Sequence, residues 1–396
     1  MPRSSISPIT RQGSVSKIAA LFPRSYEGSR AKFRQNLDRV QQFWSGARLG
    51  AHRISSQEGL TIDWIQADPQ VSYERLFILI TGEHGIEAFV GSAVLQVLID
   101  EYLPRLSPAD TGLLLVHAIN PWGMKYRRRV NSQNVDLNRN FIWTEGKAEL
   151  AYDPALNPAY RQLSSLLNPQ KAVRHQFAST LSFSVRLASN LFRFGLSNFW
   201  KYIVIGQYHD PHGIYYGGSE LQEEAQVLID LLREQINPYR QVLVIDVHTG
   251  FGPRYQMSLI NSALELRESA SLARELNYPC ILKANSEDFY PIRGDLLDYL
   301  YNLVNTEFPD AGLFATTFEF GTFGDSFLAM LRDLRATILE NQLYWYGTHS
   351  NSARVWIRRE FEELYFPGEL KWRVKAIEDA CRAMDGILSA EGFFRI

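Results

Sequence analysis

The chain has 396 residues, of which 45% are hydrophobic and 21% are charged, and 41 Lys and Arg against 43 Asp and Glu give a formal net charge of −2. This composition is typical of a globular protein and shows no basic excess for binding nucleic acid or an anionic membrane, so a small-molecule or peptide substrate fits better. The two cysteines, Cys280 and Cys381, are too few for a disulfide framework or a thiolate metal site, so a bound metal would need His, Asp or Glu ligands.

The first 30 residues contain scattered Arg, Lys, Ser and Pro without the continuous apolar stretch of a signal peptide. No segment approaches the roughly 18 consecutive apolar residues that span a bilayer. The sequence therefore predicts a cytoplasmic protein with no membrane or nucleic-acid partner. It leaves the oligomeric state open.

From residue 76 onward, short apolar runs alternate with longer amphipathic segments. The runs of strand length are 76–80, 113–119, 242–247 and 314–320. The helical patterns are 88–102, 222–235 and 262–276. This alternation predicts an α/β fold with a mixed, largely parallel sheet flanked by helices on both faces, in which sites form beyond the strand ends.

Two segments depart from this alternation. Residues 154–207 are rich in Leu, Phe and Arg with a helical pattern and no strand signals, which predicts a helical insertion. Residues 324–396 are mostly helical and predict a C-terminal cover on the sheet. We therefore expect residues 1–396 to form a single α/β domain.

Candidate metal ligands follow two of the apolar runs. His84 and Glu87 lie three residues apart directly after the run 76–80, and His248 ends the run 242–247. Imidazole nitrogens and a carboxylate that converge from three protein positions, with a fourth position open, are typical of a catalytic zinc site. A hydrogen-bonded core histidine and an ordinary loop pair are the alternatives.

Glu319 lies near the end of a third run, between Phe318 and Phe320. A carboxylate in apolar surroundings is costly unless it is used. One interpretation is a core glutamate in a salt bridge. The other is a general base whose pKa is raised by desolvation and which takes a proton from an activated water.

A third group of polar residues follows the run 113–119. It comprises Asn120-Pro-Trp-Gly123, Arg127-Arg-Arg129 and Asp136-Leu-Asn-Arg-Asn-Phe141. Guanidinium groups beside amides are suited to binding a substrate carboxylate, because arginine offers a bidentate fork. The alternative for residues 127–129 is an exposed basic turn.

Taken in chain order, these motifs resemble the zinc metallocarboxypeptidase family, carboxypeptidase A-like, in a bacterial branch with a helical insertion. The match runs over about residues 70–330, from His84-x-x-Glu87 through Asp136–Phe141 and Asp246-x-His248 to Glu319. Tyr290, with glycine four residues and aspartate eight residues after it, is similar to the tyrosine loop of that family.

The resemblance implies a metal-assisted amide hydrolysis. His84, Glu87 and His248 would bind one zinc ion per chain. Glu319 would be the general base and then the acid toward the leaving amine, and Arg129 would polarise the scissile carbonyl and stabilise the oxyanion.

It also implies a substrate site. Asn138 and Arg139 would bind the terminal carboxylate of the substrate, and Tyr290 would close over it. Leu297 falls at the base of the family's specificity pocket and suggests an apolar or aromatic C-terminal side chain. Asp136 would orient His84 through the second ring nitrogen.

Three functions remain open at this point. The first is a carboxypeptidase-type hydrolase acting on peptides, and the second is an N-acyl amino acid deacylase resembling succinylglutamate desuccinylase and aspartoacylase. The third is a non-catalytic binding module that retains only the fold. His209 and His212, in a loop after the insertion, either contact substrate or a second metal or belong to a solvated loop.

Overall fold

The structure, a computed structural model, describes residues 15–55, 59–144, 152–284 and 292–395. The strands in these ranges are β1 (Arg48–Arg53), β2 (Thr61–Ala67), β3 (Arg75–Thr81), β4 (Thr111–His117), β5 (Gln241–Gly250), β6 (Met257–Asn261), β7 (Ile281–Lys283) and β8 (Gly312–Gly321). The α-helices in the first half are α1 (Val15–Leu21), α2 (Tyr26–Gln41), α3 (Ala88–Val97), α4 (Pro121–Tyr126), α5 (Pro158–Leu167), α6 (Gln176–Phe194) and α7 (Leu196–Val204). Those in the second half are α8 (Glu223–Ile236), α9 (Ser269–Glu275), α10 (Leu296–Glu307), α11 (Phe327–Tyr346), α12 (Asn351–Tyr365) and α13 (Leu370–Ala390).

All eight of these strands belong to one sheet, in the order β1-β2-β4-β3-β5-β8-β6-β7. The four central strands β4, β3, β5 and β8 run parallel to one another. Antiparallel pairs attach β2 to β4 on one side and β6 to β8 on the other. The predicted fold class, a mixed and largely parallel sheet with flanking helices, is confirmed.

The central strands are apolar because both faces of the sheet are covered. In β3, Phe77 and Leu79 pack into the core on one face, whereas Leu76, Ile78 and Ile80 pack into the core on the other, as the two-residue period of a strand requires. Helices α3 and α13 contribute to the first core, and α8 and α10 contribute to the second.

The helical pattern over 88–102 corresponds to α3 and a following π-helical turn, Leu98–Tyr102. The helix predicted over 262–276 was wrong in its first half, because α9 begins only at Ser269. Side chains there bind the backbone instead: Oγ of Ser262 accepts from the amide of Leu264, and Oε1 of Glu265 accepts from the amide of Arg267. Such local bonds favour turns over a helix.

The segment 154–207 contains helices α5, α6 and α7, which pack around a small core of their own together with Leu334 and Ile338 of α11. The segment 324–396 contains α11, α12 and α13, and α13 buries Trp372 and Met384 against the sheet. Among the described residues, no helix combines the length and apolar character needed to cross a membrane.

Candidate metal centre

Three of the predicted site residues lie at the ends of three adjacent parallel strands. His84 follows β3, His248 lies near the end of β5, and Glu319 lies near the end of β8. His248 and Glu319 are paired across the β5–β8 ladder. Because the carboxyl ends of parallel strands meet at one edge of a sheet, the fold brings together side chains that are 235 residues apart in the chain at most.

Three of the predicted side chains, His84, Glu87 and His248, direct donor atoms at one point. Nδ1 of His84 lies 3.0 Å from Oε1 of Glu87 and 3.1 Å from Nδ1 of His248. Nδ1 of His248 lies 3.5 Å from Oε2 of Glu87. Ligands about 2 Å from a tetrahedral zinc ion lie roughly 3.3 Å from one another, so these separations fit such an ion.

The opposite nitrogens of both imidazoles face carboxylates. Nε2 of His84 lies 3.0 Å from Oδ1 of Asp136, and Nε2 of His248 lies 2.6 Å from Oδ2 of Asp246. A proton held on each Nε2 by its carboxylate leaves both Nδ1 atoms with lone pairs facing each other. The two Nδ1 atoms are 3.1 Å apart, and their lone pairs together with the buried carboxylate of Glu87 form a set of donor atoms suited to a cation.

Glu83 adds a fully buried carboxylate behind His248. Its Oε2 is 3.1 Å from Nε2 of His248, on the same side as Asp246. Burial raises the pKa of Glu83 well above its usual value. Sequence reasoning missed this residue, although a glutamate immediately before His84 at the end of an apolar strand was a signal that could have found it.

The ligand loop is held by the Asn-Pro-Trp-Gly motif. A Cβ atom on Gly85 would lie 2.1 Å from the carbonyl carbon of Gly123, so only glycine allows the loop to pack this closely on α4. Oδ1 of Asn120 accepts from the amide of Gly123, and its Nδ2 donates to the carbonyl of Arg129. The same carbonyl accepts from the amide of Gly85, so the motif joins the His84 loop to the arginine segment.

Arg129 lies beside the candidate ligands. Its Nη1 donates to Oε1 of Glu87 and its Nε donates to Oδ2 of Asp136, each at 3.2 Å. Burial would raise the pKa of Glu87, but His84 and His248 outweigh it when they are protonated and lower that pKa to about 2. The adjacent Arg128 is buried and paired with Glu340, so the segment is not an exposed basic turn.

Glu319 lies half-buried at the same edge. Its Oε1 accepts from the amide of Phe251 at 2.9 Å, which fixes the orientation of the carboxyl. Burial raises the pKa of Glu319 to about 8, and the negative charge of Glu87 adds to this increase. The carboxyl of Glu319 therefore lies in a partly apolar environment next to the charged carboxylate of Glu87.

A cavity of about 210 Å³ opens onto these groups, and His84, His248, Arg129 and Glu319 line it. The remaining predicted residues that line it are Asn138, Arg139 and Leu297. Tyr290 lies outside the described residues. Asp136 lies behind His84 rather than in the cavity wall.

Asn138 and Arg139 are held firmly where they meet the cavity. Oδ1 of Asn138 accepts from the amide of Leu296, and Nη1 and Nη2 of Arg139 donate to the carbonyls of Asn138 and Val204. Gly294 packs on this segment so closely that a Cβ would lie 2.4 Å from the carbonyl oxygen of Arg139. A side chain at position 294 would therefore collide with the backbone of Arg139, which explains the glycine four residues after Tyr290.

Several residues of the cavity wall were not predicted. Trp200, Ile203 and Val204 of α7 line it from the insertion, and Asp333 and Tyr365 line it from α11 and α12. Burial raises the pKa of Asp333 to about 7.

His209 and His212 do not line the cavity. His209 instead contacts the ring of Tyr160, and His212 lies against Trp345 with a ring separation of 4.0 Å.

The chain belongs to the family described as "Protein of unknown function (DUF2817)", whose model matches residues 22–379. No curated protein matches the chain significantly.

The chain is similar to several solved structures at low sequence identity. Bovine thrombin-activatable fibrinolysis inhibitor, solved with tick carboxypeptidase inhibitor, matches 81% of this chain and 95% of its own at 13% identity and a TM-score of 0.44. Carboxypeptidase A from Helicoverpa armigera matches 81% of this chain and 73% of its own at 13% identity and a TM-score of 0.43. Succinylglutamate desuccinylase from Chromobacterium violaceum matches 80% and 75% at 14% identity and a TM-score of 0.34.

Proposed function

We propose that this protein is a zinc-dependent hydrolase of the metallocarboxypeptidase type, which cleaves the amide bond next to a C-terminal amino acid. The observation that carries the proposal is the convergence of Nδ1 of His84, Nδ1 of His248 and the Glu87 carboxylate within 3.5 Å of one another. These three residues would hold one zinc ion. When bound, zinc polarises the scissile carbonyl and acidifies water so that it can act as a nucleophile near neutral pH.

The protein supplies the proton transfer and the charge stabilisation. Glu319 would accept a proton from the attacking water and deliver it to the leaving amine, because its oriented carboxyl faces the same cavity as the ligands. Arg129 would stabilise the negative charge that develops on the carbonyl oxygen. Its guanidinium is already positioned by Glu87 and Asp136.

Asn138 and Arg139 would position the substrate. The side-chain oxygen of Asn138 is bonded to the amide of Leu296, so its Nδ2 group is the donor that would bind a terminal carboxylate. Arg139 adds positive charge at the same wall. Tyr290 would close over the carboxylate, and Leu297 would contact the C-terminal side chain.

The size of the cavity favours a small substrate and supports a second candidate. About 210 Å³ accommodates one amino acid and a short group beyond the cleaved bond. An N-acyl amino acid meets this limit as well as a dipeptide does. An N-acyl amino acid deacylase is therefore the alternative function.

The test combines metal analysis of the purified protein with hydrolysis of blocked dipeptides and N-acyl amino acids. We expect near-stoichiometric zinc and a loss of about 10²–10⁴-fold in kcat for Glu319→Gln, since that change removes the general base. Glu307→Gln, which alters an exposed pair with Arg233, is the matched control and should retain activity. A protein without zinc, or a fully active Glu319→Gln variant, would refute the mechanism. Preference for acyl amino acids would select the deacylase.

A further inference from the structure

Helix α6 carries an exposed stripe of large apolar side chains. The exposed fractions are 80% for Phe177, 56% for Leu181, 62% for Val185 and 95% for Phe192. With 3.6 residues per turn, these four positions fall within an arc of about 80° on the helix surface. Single exposed apolar residues are common, but a continuous stripe of this kind marks an interaction surface.

The stripe is distinct from the face by which α6 joins the protein. Leu187 is buried in the core of the insertion, and Phe183, Leu191 and Phe194 pack against that core. Helix α6 is therefore apolar on two sides, only one of which is covered within the described part of the chain. An amphipathic helix needs just one such side to fold onto a core, so the second side calls for another explanation.

Further exposed apolar residues occur at the ends of neighbouring helices. Leu196, at the start of α7, is 52% exposed and follows Phe192 by four residues. Leu328, near the start of α11, is 76% exposed, and the next turn of α11 packs into the same core as α6 through Met330 and Leu331. Exposed apolar residues thus also occur on two helices that share a core with α6.

The charge of the same segment is one-sided. Residues 154–207 contain no Asp or Glu, whereas the whole chain has a formal net charge of −2. Six basic residues lie in this segment: Arg161, Lys171, Arg174, Arg186, Arg193 and Lys201. All of them except Arg186 are exposed. The balanced charge of the whole chain thus conceals a local basic excess in the segment that carries the apolar stripe.

We propose that α6 and the basic residues around it form a docking surface for an anionic lipid bilayer. Phe177, Leu181, Val185 and Phe192 would enter the boundary between headgroups and acyl chains, while the exposed Lys and Arg contact lipid phosphates. A second copy of this chain is a poorer partner for the patch. A two-fold contact would bring the basic segments of both copies together without an acidic residue from either segment to offset them.

This inference does not depend on the proposed hydrolase activity, and its test uses binding alone. The full chain is mixed with vesicles of phosphatidylcholine containing about one-third phosphatidylglycerol, and with pure phosphatidylcholine vesicles, and then sedimented. We expect binding to the anionic vesicles, weakening as salt increases because surface charges are screened. Binding to neither kind of vesicle would overturn the proposal.

Substitutions then locate the surface. Phe177→Ser with Phe192→Ser should reduce vesicle binding by about tenfold or more, because two inserted aromatic side chains are lost. Val71→Ser with Leu266→Ser is the matched control, since these side chains are 81% and 93% exposed outside the patch. It should leave binding unchanged. All variants should retain the wild-type circular dichroism and unfolding temperature, which separates loss of binding from loss of folding.

Two outcomes would replace the proposal. If the wild type is a dimer by light scattering and the Phe177→Ser, Phe192→Ser variant is a monomer, with no vesicle bound by either, the stripe is a contact between copies of this chain. If both double variants bind vesicles as the wild type does, the protein docks through another surface.

Discussion

The carboxylate of Asp246 lies 2.6 Å from Nε2 of His248, two residues further along the same strand. Alternate residues of a strand point to the same face, so β5 places the carboxylate directly beside the histidine that it orients. The equivalent partner of His84 is Asp136, which comes from a loop 52 residues away. One candidate ligand is thus oriented by its own strand and the other by a distant loop.

Asp246→Asn should weaken metal binding by about 10–100-fold, because the carboxylate holds His248 in the tautomer whose Nδ1 is free to bind. Glu83 lies 3.1 Å from the same Nε2 and retains part of this effect, so Glu83→Gln combined with Asp246→Asn should weaken binding further. Competition titration with a chromophoric chelator measures the metal affinity of the single and the double variant. Asp230→Asn, on the outer side of α8, is the control. Unchanged affinity in the double variant would show that the two carboxylates do not orient His248.

Gly85→Ala should disrupt the ligand loop. The added Cβ would lie 2.1 Å from the backbone of Gly123, and neither backbone can move without displacing His84 or Asn120. We expect a loss of about 2–4 kcal/mol in the free energy of unfolding together with weaker metal binding.

Gly46→Ala provides the comparison, because a Cβ there meets no atom within 4 Å. Chemical denaturation of both variants tests the argument. Equal stability of Gly85→Ala and Gly46→Ala would mean that the loop has room to shift.

The positions of His84, His248 and Glu319 were predictable because each follows or ends an apolar run that fully buried strands require. Strand β2 was not predicted, since Thr61–Ala67 contains Asp63 and Gln66 among its apolar residues. Asp63 is buried there and is paired with Arg30 and Arg34 of α2. Such a pair depends on a contact between distant segments, and a local pattern does not reveal it.

The cavity wall shows the same limit. Asp333 and Tyr365 reach the site only through the packing of α11 and α12, more than 200 residues after His84 in the chain. Local motifs identify the donor atoms, whereas tertiary packing determines what surrounds them. Arg128 illustrates the difference, because a charged triplet is typical of an exposed turn, yet this guanidinium is buried against Glu340 and Tyr344.

Asp333→Asn should stabilise the protein at alkaline pH. Burial raises the pKa of Asp333 from 3.8 to about 7, so the folded state binds this proton more tightly than the unfolded state does. The carboxyl therefore lowers stability progressively as pH rises from about 4 to about 7, and asparagine removes that effect. We expect a gain of about 1–3 kcal/mol in the free energy of unfolding at pH 8, falling to about 0.5 kcal/mol or less at pH 4.

Urea denaturation across this pH range, with a chelator present throughout, measures the difference. Asp310→Asn, an exposed aspartate before β8, is the control and should follow the wild-type curve. If Asp333→Asn gives the same difference from wild type at pH 4 and pH 8, the carboxyl does not titrate between those values in the folded protein.

Trp200→Leu should change the substrate preference of the proposed hydrolase. Trp200 is 8% exposed and lines the cavity from α7, so a smaller side chain enlarges a space of about 210 Å³ beside Arg139 and the candidate ligands. We expect kcat/KM to rise for bulkier substrates relative to small ones, because the steric limit at this wall is relaxed. The stability cost should be about 1–3 kcal/mol, which leaves the variant folded.

Trp345→Leu is the matched control, since Trp345 packs against His212 away from the cavity. If both variants retain the wild-type ratio between bulky and small substrates, the α7 wall does not contact the substrate.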